Sequence, residues 1–500
     1  MPPPLRHQRR HPIRHAPIQH PRQPHKRPQL TTGPNGTHHN RRRAASARGL
    51  ASLTQTLANF TALHERTPRS RDSPIAKNTL LSSPAKKTLR RQRYAGSWRT
   101  AIHELADFER PSASDGERRA AVWIAERLEA LGCDTALEQE RAHGGYWWPL
   151  GLANALAVGA AALALGRRGR STRALAAVAG ALTAAAVWDD LGHGRRWFRR
   201  ALLPHRSTWN VVASAGDPDA ERTVAVVAHH DAAHSGLVFH PALGQIGPRF
   251  LPRLHERSGR TLPILYGVWL GPVAICAGAL LGRRSLLRTG LLVSLGAIAV
   301  MADIGSRKVV PGANDNLAAV GVLIALAEAI RERPIDGLRV LLISTGSEES
   351  FSEGMQAFGR RHFGELDRDN TEFLCLECLG GRTLIVLEGE GMLRMRDYTV
   401  AMRNELAAAA DDVGASAGRG IRTVAATDGL ISLRAGYPTV TLASVDETKL
   451  PRNYHWPTDT PDALEWQTIE DAIAVCDRFL RRRAAGATLL PSQKGGRAQS

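Results

Sequence analysis

The stretch LLISTGSEES, residues 341–350, carries the pattern that decides the fold. Apolar and β-branched residues run from Leu341 to Thr345 and end at a glycine-containing turn, as in a buried strand. Two adjacent glutamates, Glu348 and Glu349, follow that turn. Neighbouring carboxylates repel each other, and at the end of a buried strand both are hard to keep ionised. The pair therefore indicates a positive charge close by.

Strands and helices alternate along the chain on both sides of this stretch. The segments typical of strands are 210–214, 222–229, 337–345, 371–377, 382–388 and 438–444. The segments typical of helices are 97–109, 115–132, 314–332 and 462–483. This alternation predicts an α/β fold, a three-layer domain with helices on both faces of a sheet.

The net charge of +19 comes from the N-terminal arm. Residues 1–99 contain 21 of the 66 Lys and Arg residues and only two acidic ones, so the rest of the chain is neutral. The arm is rich in Arg, Pro and His and cannot bury enough apolar surface to fold, so we expect residues 1–96, and the tail 486–500, to be disordered. A tail that binds nucleic acid or anionic lipid is the functional alternative. We do not expect the folded body to bind nucleic acid.

Two pairs of apolar segments, 146–190 and 261–302, interrupt the soluble pattern. Each pair has a long charge-free run, an Arg-rich turn and a shorter run that ends at aspartate. About 20 apolar residues can span a bilayer, and the Trp and Tyr residues at the ends suit its interface. We therefore predict two transmembrane helical hairpins in a multi-pass protein whose partner is the lipid bilayer. Ala-rich buried helices of a soluble domain are the alternative.

The remaining segments, 97–145, 191–260 and 303–485, are assigned to one α/β domain. Four spans place all of these segments on the same side of the membrane. Arginines flank the apolar runs on both sides, so the positive-inside rule hardly decides the orientation. The first 50 residues have no apolar region typical of a signal peptide, which favours the cytoplasmic side.

Polar side chains gather where predicted strands end and helices begin, which is the edge of such a sheet that binds ligands. These residues are His229, Asp231, Asp315, Glu348, Glu349, Glu377 and His455. Imidazole and carboxylate ligands suit Zn²⁺, with Mn²⁺ or Co²⁺ as alternatives. A divalent cation would supply the missing charge beside the paired glutamates. One glutamate would bind the metal, and the other would take a proton from a metal-bound water.

Smaller features complete this interpretation. Asp231 comes two residues after His229 and can accept the second ring N–H of that imidazole, which fixes its orientation. The five cysteines have no disulfide spacing. Cys375 and Cys378 resemble a redox pair, but they lie in an apolar run, and we interpret them as residues of a packed strand.

Taken in order, the motifs resemble a known family. They are His-x-Asp (229–231), Gly-Ala-x-Asp-Asn (312–316), Glu-Glu (348–349), an acidic residue followed by Gly (377–380), TDGLISLRAGYPTVTL (427–442) and YHWPTDTPD (454–462). The chain is similar to the cocatalytic di-zinc aminopeptidases, a family that includes bacterial leucyl aminopeptidases, glutamate carboxypeptidase and, as relatives, glutaminyl cyclases.

The resemblance implies a zinc-exopeptidase-like domain with a central mixed sheet and a metal-dependent aminopeptidase activity that hydrolyses N-terminal residues of peptides. It implies two zinc ions per chain. By position, His229 and Glu377 would hold one ion, Glu349 and His455 the other, and Asp315 would bridge them. Glu348 would be the general base, Asp231 would orient His229, and Tyr454 would donate to the oxyanion of the tetrahedral intermediate.

The chain departs from the family pattern at two points. Asp315 follows Asp231 by 84 positions rather than about a dozen, because the second hairpin lies between them. Glu377 stands where aminopeptidases commonly have Asp, which leaves one or two zinc ions open. The alternatives are a single-zinc acyl transferase like glutaminyl cyclase, a non-catalytic receptor-like relative, and a transporter with a soluble appendage. The sequence leaves open the preferred side chain, amino- against carboxypeptidase activity and the oligomeric state.

Overall fold

An eight-stranded mixed sheet organises the computed structural model, which describes residues 97–167 and 169–486. The strands are β1 (Asp134–Ala142), β2 (Arg206–Gly216), β3 (Thr223–His229), β4 (Arg339–Thr345), β5 (Thr371–Glu377), β6 (Thr383–Val386), β7 (Gly389–Glu390), β8 (Arg396–Asp397), β9 (Ala417–Gly418), β10 (Arg422–Thr423) and β11 (Thr439–Val445). Their order in the main sheet is β1-β2-β4-β3-β5-β11-β6-β9, and β10-β7-β8 form a small second sheet.

Helices lie on both faces of this sheet and in the two long insertions between its strands. They are α1 (Trp98–Ala106), α2 (Asp115–Ala130), α3 (Trp147–Gly166), α4 (Arg170–Leu191), α5 (Trp197–Leu202), α6 (Pro241–Gly244), α7 (Ile246–Phe250), α8 (Pro252–Arg257), α9 (Tyr266–Leu280), α10 (Arg284–Ser306), α11 (Ala318–Glu332), α12 (Glu353–His362), α13 (Val400–Asp412), α14 (Gly429–Arg434) and α15 (Trp466–Ala484). Short 3₁₀ turns lie at Leu237–Phe239 and Pro461–Ala463.

The side chains of the central strands alternate between two cores. In β3, Val224 and Val226 belong to the larger core with α1, α2, α11 and α15, whereas Ala225 and Val227 belong to a smaller core with Met355 of α12. Because successive side chains of a strand point to opposite faces, a strand that is apolar throughout must be covered on both. The predicted three-layer α/β fold with a central mixed sheet is confirmed.

The central strands run parallel where the site will lie. β3 pairs in parallel with β4 and with β5, and β5 pairs in parallel with β11. The carboxyl ends of these strands therefore meet at one edge of the sheet. His229, Thr345 and Glu377 are the last residues of β3, β4 and β5.

Helices α3, α4, α9 and α10 pack against one another as two hairpins. Glycines bring their backbones close: a Cβ at Gly180 would lie 2.7 Å from the backbone nitrogen of Cys276, and one at Gly271 would lie 2.8 Å from that of Ser294. Small residues at contacts of this kind are typical of helix packing in membranes. Asn154 adds a hydrogen bond from α3 to the backbone of α9.

Four described helices are long and apolar enough to cross a membrane. Three of them are α3, α4 and α10, and the fourth spans Ala313–Glu332, which includes α11 and is 94% buried in the larger core. Helix α9 has only 15 residues and is not among the four, because residues 261–265 are not helical. α10 continues to Ser306, four residues beyond the predicted end of the second hairpin.

The segment that contains the second hairpin enters and leaves the domain at one place. His234 and Val309 form an antiparallel bridge. The N–H of Ser235 donates to the carbonyl of Lys308 at 3.1 Å, and the N–H of Val310 donates to that of Ala233 at 2.9 Å. The sheet therefore tolerates this insertion without a change in the order of its strands. The predicted disordered segments, 1–96 and all but Gly486 of the tail, lie outside the described residues.

Candidate metal centre

Asp315 lies in a kinked turn, Ala313–Leu317, that precedes α11, and its own backbone is not helical (φ −113°, ψ 84°). The carboxylate of Asp459 accepts the backbone N–H groups of Asn314 at 2.7 Å and of Asp315 at 3.1 Å. The side chain of Asn316 bonds the carbonyl of Leu376 and the N–H of Cys378, next to the end of β5. These contacts fix the turn between the 454–462 loop and the end of β5, and the Asp315 carboxylate lies between the two.

The two oxygens of Asp315 face two different imidazoles. Oδ1 is 3.2 Å from Nε2 of His229, and Oδ2 is 3.2 Å from Nε2 of His455. Glu349 Oε2 is 3.1 Å from Nε2 of His455, and Glu377 Oε1 is 3.7 Å from Nε2 of His229. The side chains thus form two sets of three potential ligands that share one carboxylate.

Grouping the ligand atoms by mutual distance gives the same shared residue. One group is His229, Asp315 and Glu349, and another is Asp315, Glu377 and Cys378, each with atoms within 4.8 Å of one another. The first group places Glu349 with His229, but Glu349 is in direct contact with His455, and we therefore pair it with that imidazole. Asp315 belongs to every grouping, as a bridging carboxylate would.

This donor set fits zinc. Ligand atoms about 2.0–2.1 Å from a tetrahedral zinc ion lie roughly 3.3 Å from one another, and the imidazole–carboxylate separations at the site are 3.1–3.7 Å. Oε1 of Glu349 is buried and has no hydrogen-bond partner within the described part of the chain. A buried carboxylate oxygen without a donor is costly unless a cation binds it.

Burial and neighbouring charges shift the pKa values of the histidines and glutamates at the site. Burial alone would lower the pKa of His455, but Glu349 and a hydrogen bond to Asp315 raise it to about 10. The pKa of His229 is likewise raised well above its ordinary value by Asp231, Asp315 and Glu377, against the effect of burial. Burial raises the pKa of Glu349 to about 7. Without a metal ion, protons therefore supply the positive charge, and metal binding would release them.

Glu348 lies outside both ligand sets. Its Oε2 is 3.9 Å from Nε2 of His229, and its side chain lines the same cavity as the potential ligands. Burial and the nearby carboxylates of Glu349 and Glu377 raise the pKa of Glu348 well above its ordinary value, although His229 opposes this shift. A carboxylate with a raised pKa is a better proton acceptor near neutral pH.

Asp231 holds more of the site than the sequence predicts. Its carboxylate is 3.4 Å from Nδ1 of His229, and its own backbone carbonyl is closer, at 3.2 Å. The same carboxylate accepts the backbone N–H of Glu348 at 2.9 Å and that of Glu349 at 3.1 Å, and the Ser112 hydroxyl at 2.6 Å. Asp231 therefore links the end of β3 to the loop that carries both glutamates.

Tyr454 lies beside the potential ligands. Its ring stacks on that of His455, with centroids 3.9 Å apart, and meets the ring of Phe239 edge-on. Burial raises the pKa of Tyr454 well above its ordinary value, and the Asp315 and Glu349 carboxylates raise it further. The phenol is therefore a hydrogen-bond donor at any physiological pH.

Several residues that support the site were not predicted. The buried guanidinium of Arg110 donates to the carbonyls of His230 at 2.8 Å and Gly312 at 3.1 Å. The buried carboxylate of Glu117 accepts the N–H and the hydroxyl of Ser347 at 2.9 and 2.8 Å. Both lie in the N-terminal helical region, where nothing in the sequence distinguishes them from surface charges. Asp459 was detectable, because it lies in the 454–462 motif.

Cys375 and Cys378 are buried free thiols. Cys375 lies inside β5, in agreement with the packed-strand interpretation. Cys378 lies just beyond the strand, and its Sγ donates to Oε1 of Glu377 at 3.2 Å. Burial raises the pKa of this thiol well above its ordinary value, and Asp315 adds to the shift. Cys378 is thus a neighbour of the site that the sequence reading did not include.

A cavity of about 130 Å³ opens at these side chains. One wall carries the potential ligands, Glu348 and Tyr454. The apolar part of the lining includes Leu262, Ile264 and Leu265, which directly precede α9. Part of the second hairpin segment is therefore a wall of the candidate active site.

Part of the sequence matches a known protein family. The family model described as "Peptidase family M28" matches residues 295–480. Over these residues, which are less than half of the chain, the sequence is similar to M28 peptidases. The M28 segment includes Asp315, Glu348, Glu349, Glu377 and His455, whereas His229 precedes it, beyond the second hairpin. The predicted resemblance to this peptidase family is confirmed over the matched residues.

No curated protein matches the chain. Among solved structures, a leucine aminopeptidase precursor from Bacteroides thetaiotaomicron is 14% identical and has a TM-score of 0.43, covering 77% of this chain and 96% of its own. A glutaminyl cyclase from the same organism has the same identity, TM-score and coverage. An aminopeptidase from Aneurinibacillus sp. strain AM-1 is 12% identical and has a TM-score of 0.45, covering 79% of this chain and 95% of its own.

Proposed function

We propose that the chain is a membrane-embedded, zinc-dependent aminopeptidase that removes N-terminal residues from peptides. The observation that carries this proposal is the shared carboxylate: each oxygen of Asp315 lies 3.2 Å from a different imidazole, His229 or His455. Glu349 and Glu377 complete the two ligand sets. Zinc bound there would lower the pKa of a water molecule and polarise the carbonyl of the scissile bond.

Glu348 is the general base of this proposal. It is the carboxylate of the pair that lies outside the ligand sets, and its raised pKa suits it to accept a proton from the attacking water. It would then return that proton to the departing amine. Tyr454, which is held by its stacking on His455, would donate a hydrogen bond to the oxygen that becomes negative in the tetrahedral intermediate.

The charges of the cavity favour a substrate with a free amino group. Its ionisable lining consists mainly of carboxylates and His455, and the one lysine or arginine among its described lining residues is Lys449. The Lys449 ammonium is already engaged by the carbonyls of His255 and Ser258, at 2.5 and 2.6 Å. A C-terminal carboxylate would need a free cation, so we favour aminopeptidase over carboxypeptidase activity.

The apolar wall of the cavity favours a large apolar N-terminal side chain. Leu262, Ile264 and Leu265 come from the segment that leads into α9, which we propose is membrane-spanning together with α3, α4 and α10. The peptide and the bilayer are thus the proposed partners, with the catalytic domain on the cytoplasmic side. Protease protection of this domain in oriented vesicles tests the orientation.

The test combines metal content with hydrolysis. Detergent-purified protein is assayed for zinc by mass spectrometry and for release of N-terminal leucine from a peptide, beside Glu348→Gln and the exposed control Glu365→Gln. We expect about two zinc ions per chain in all three proteins, and a loss of about 10²–10⁴-fold in kcat for Glu348→Gln alone.

Other outcomes have defined meanings. One zinc per chain, with cyclisation of N-terminal glutamine to pyroglutamate, would favour the glutaminyl cyclase-like alternative. Absence of bound zinc after incubation with zinc at neutral pH would refute the proposal, because the paired glutamates would then have no cation to bind.

A further inference from the structure

The loop that carries Glu348 and Glu349 has backbone conformations that its own residues do not favour. Ser347, Phe351 and Ser352 have φ values of +51°, +68° and +58°, in the left-handed region that side chains rarely adopt. Such conformations persist only where surrounding contacts hold them. Asp231 holds the backbone N–H groups of Glu348 and Glu349, and the contacts around residues 350–353 hold the chain that follows them.

Two buried arginines provide these contacts. Both lie just after the first hairpin: Arg196 directly precedes α5, and Arg199 lies within it. Arg199 Nη1 donates to the carbonyl of Ser350 at 2.8 Å, and Arg196 Nη2 donates to the carbonyl of Phe351. The Arg199 guanidinium also lies 5.2 Å from the centroid of the Phe351 ring. Both residues are buried: Arg199 is 0% exposed and Arg196 is 3% exposed.

Two carboxylates compensate the two guanidinium groups. Asp190, in the last turn of α4, accepts from Arg199 at 3.1 and 2.5 Å and lies 3.8 Å from Arg196. Glu353, at the start of α12, lies 3.6 Å from Arg199 and 3.7 Å from Arg196. The cluster is therefore neutral. Removal of one arginine would leave a carboxylate buried without its partner.

The other end of the first hairpin reaches the same loop. The Glu353 carboxylate accepts the backbone N–H of His143 at 3.0 Å and that of Gly144 at 2.9 Å, just before α3 begins. It also accepts the hydroxyl of Ser350 at 2.8 Å. Residues on both sides of the α3–α4 hairpin thus converge on the segment that directly follows the two glutamates.

We propose that Arg196 and Arg199 are positioning residues for Glu348 and Glu349, and that through them the packing of the first hairpin sets the catalytic geometry. The proposal rests on the proposed function for its catalytic consequence. It requires that the arginines act on the loop and not merely on overall stability. A buried ion pair elsewhere in the domain supplies the comparison.

The experiment compares Arg199→Met and Arg199→Lys with Arg483→Met. Arg483 is as buried as Arg196 and bonds Glu372 at the start of β5, at the opposite end of that strand from Glu377. Amide hydrogen exchange of residues 347–353 is measured by mass spectrometry on the full-length protein in detergent. Zinc affinity, kcat and KM are measured on the same preparations.

We expect Arg199→Met to speed exchange in 347–353 and to weaken the binding of one zinc ion by about 10–100-fold, with a similar loss in kcat and little change in KM. Arg199→Lys should recover part of each. Arg483→Met should lower the melting temperature but leave exchange in 347–353 and zinc affinity unchanged. Unchanged exchange in this loop for Arg199→Met would overturn the proposal.

A second variant and the zinc content of the wild-type protein separate the possible outcomes. If Arg199→Met does not fold, Asp190→Asn replaces it, because it removes the charge that holds Arg199 while both arginines remain; faster exchange in 347–353 supports the proposal, and unchanged exchange refutes it. If the wild-type protein binds no zinc, the proposed function fails. The exchange measurement still decides whether the arginines position the loop.

Discussion

Asp315→Asn should abolish both zinc sites, whereas Glu377→Gln should abolish one. Among the described residues, Asp315 alone contacts both imidazoles, with one oxygen 3.2 Å from each, and Glu377 approaches His229 but not His455. Asn has nearly the same shape as Asp, and the backbone N–H of residue 315 remains bonded to Asp459. The substitution should therefore remove the bridging charge without unfolding the turn.

The size of the effect follows from ligand linkage. A ligand present at 100 times its Kd stabilises the folded state by about 2.7 kcal/mol per site, so two sites give about 5 kcal/mol. At about 1–2 °C per kcal/mol for a domain of this size, zinc should raise the melting temperature of the wild-type protein by about 5–10 °C. Glu377→Gln should retain about half of that increase, and Asp315→Asn almost none.

The assay is thermal unfolding of chelator-treated protein in detergent, with and without added zinc, together with zinc content by mass spectrometry. The exposed variant Asp336→Asn is the control and should behave as the wild type. An Asp315→Asn protein that keeps half of the zinc-induced stabilisation, with one ion bound, would refute the bridging role. The two sites would then be independent.

Three further predictions concern the surroundings of the site. Leu265→Ala should lower kcat/KM for peptides with N-terminal leucine about tenfold, and less for N-terminal alanine, because it removes apolar surface that would contact the larger side chain. Asp459→Asn should weaken zinc binding by about 10–100-fold, since the carboxylate that holds the N–H groups of Asn314 and Asp315 loses its charge; titration with a competing chelator measures this. Burial raises the pKa of Glu390 from 4.5 to about 8, so its protonated side chain stabilises the folded protein. This stabilisation, up to about 5 kcal/mol, is fully present below pH 4.5 and is lost as the pH rises through 8. Denaturant unfolding at pH 5.5 and 8 should therefore show that Glu390→Gln gains stability relative to the wild type as pH rises, and a pH-independent difference would contradict this.

The sheet and its ligand-binding edge are readable from the sequence because their signals are local. An apolar run such as 339–345 must be a strand covered on both faces, and the residue that follows it must lie at the sheet edge. The polar residues at these ends were therefore predictable as a group. Their pairing was not, because it depends on distances between loops far apart in the chain.

The residues that support the site from distant parts of the chain could not be predicted from the sequence. Arg199 and Ser350 are 151 positions apart, and in the sequence Arg199 is one of four arginines in RRWFRR, a pattern typical of a solvated or membrane-flanking surface. Its burial follows from the return of the chain from the first hairpin onto the loop beyond β4. Contacts of this kind arise from tertiary packing and leave no periodic signal.

Apolar composition has a similar limit. Residues 313–332 and α10 are both long and apolar enough to span a membrane, yet the first is 94% buried and the second 28%. The difference lies in what surrounds each helix. Asp315 and Asn316 at the start of the first segment, at a sheet edge, indicated its place in the domain.

The paired ends of the second insertion make it a removable unit. Because Ala233 to Ser235 and Lys308 to Val310 already lie side by side as neighbouring strands would, a short β-turn could join them in place of residues 236–307. The shortened chain would keep His229 and Asp315 in their present register. It would lose Phe239 and Leu265 from the cavity, so its active site would open to water. A different segment joined at the same place would change the lining of the cavity without moving the residues that hold Asp315.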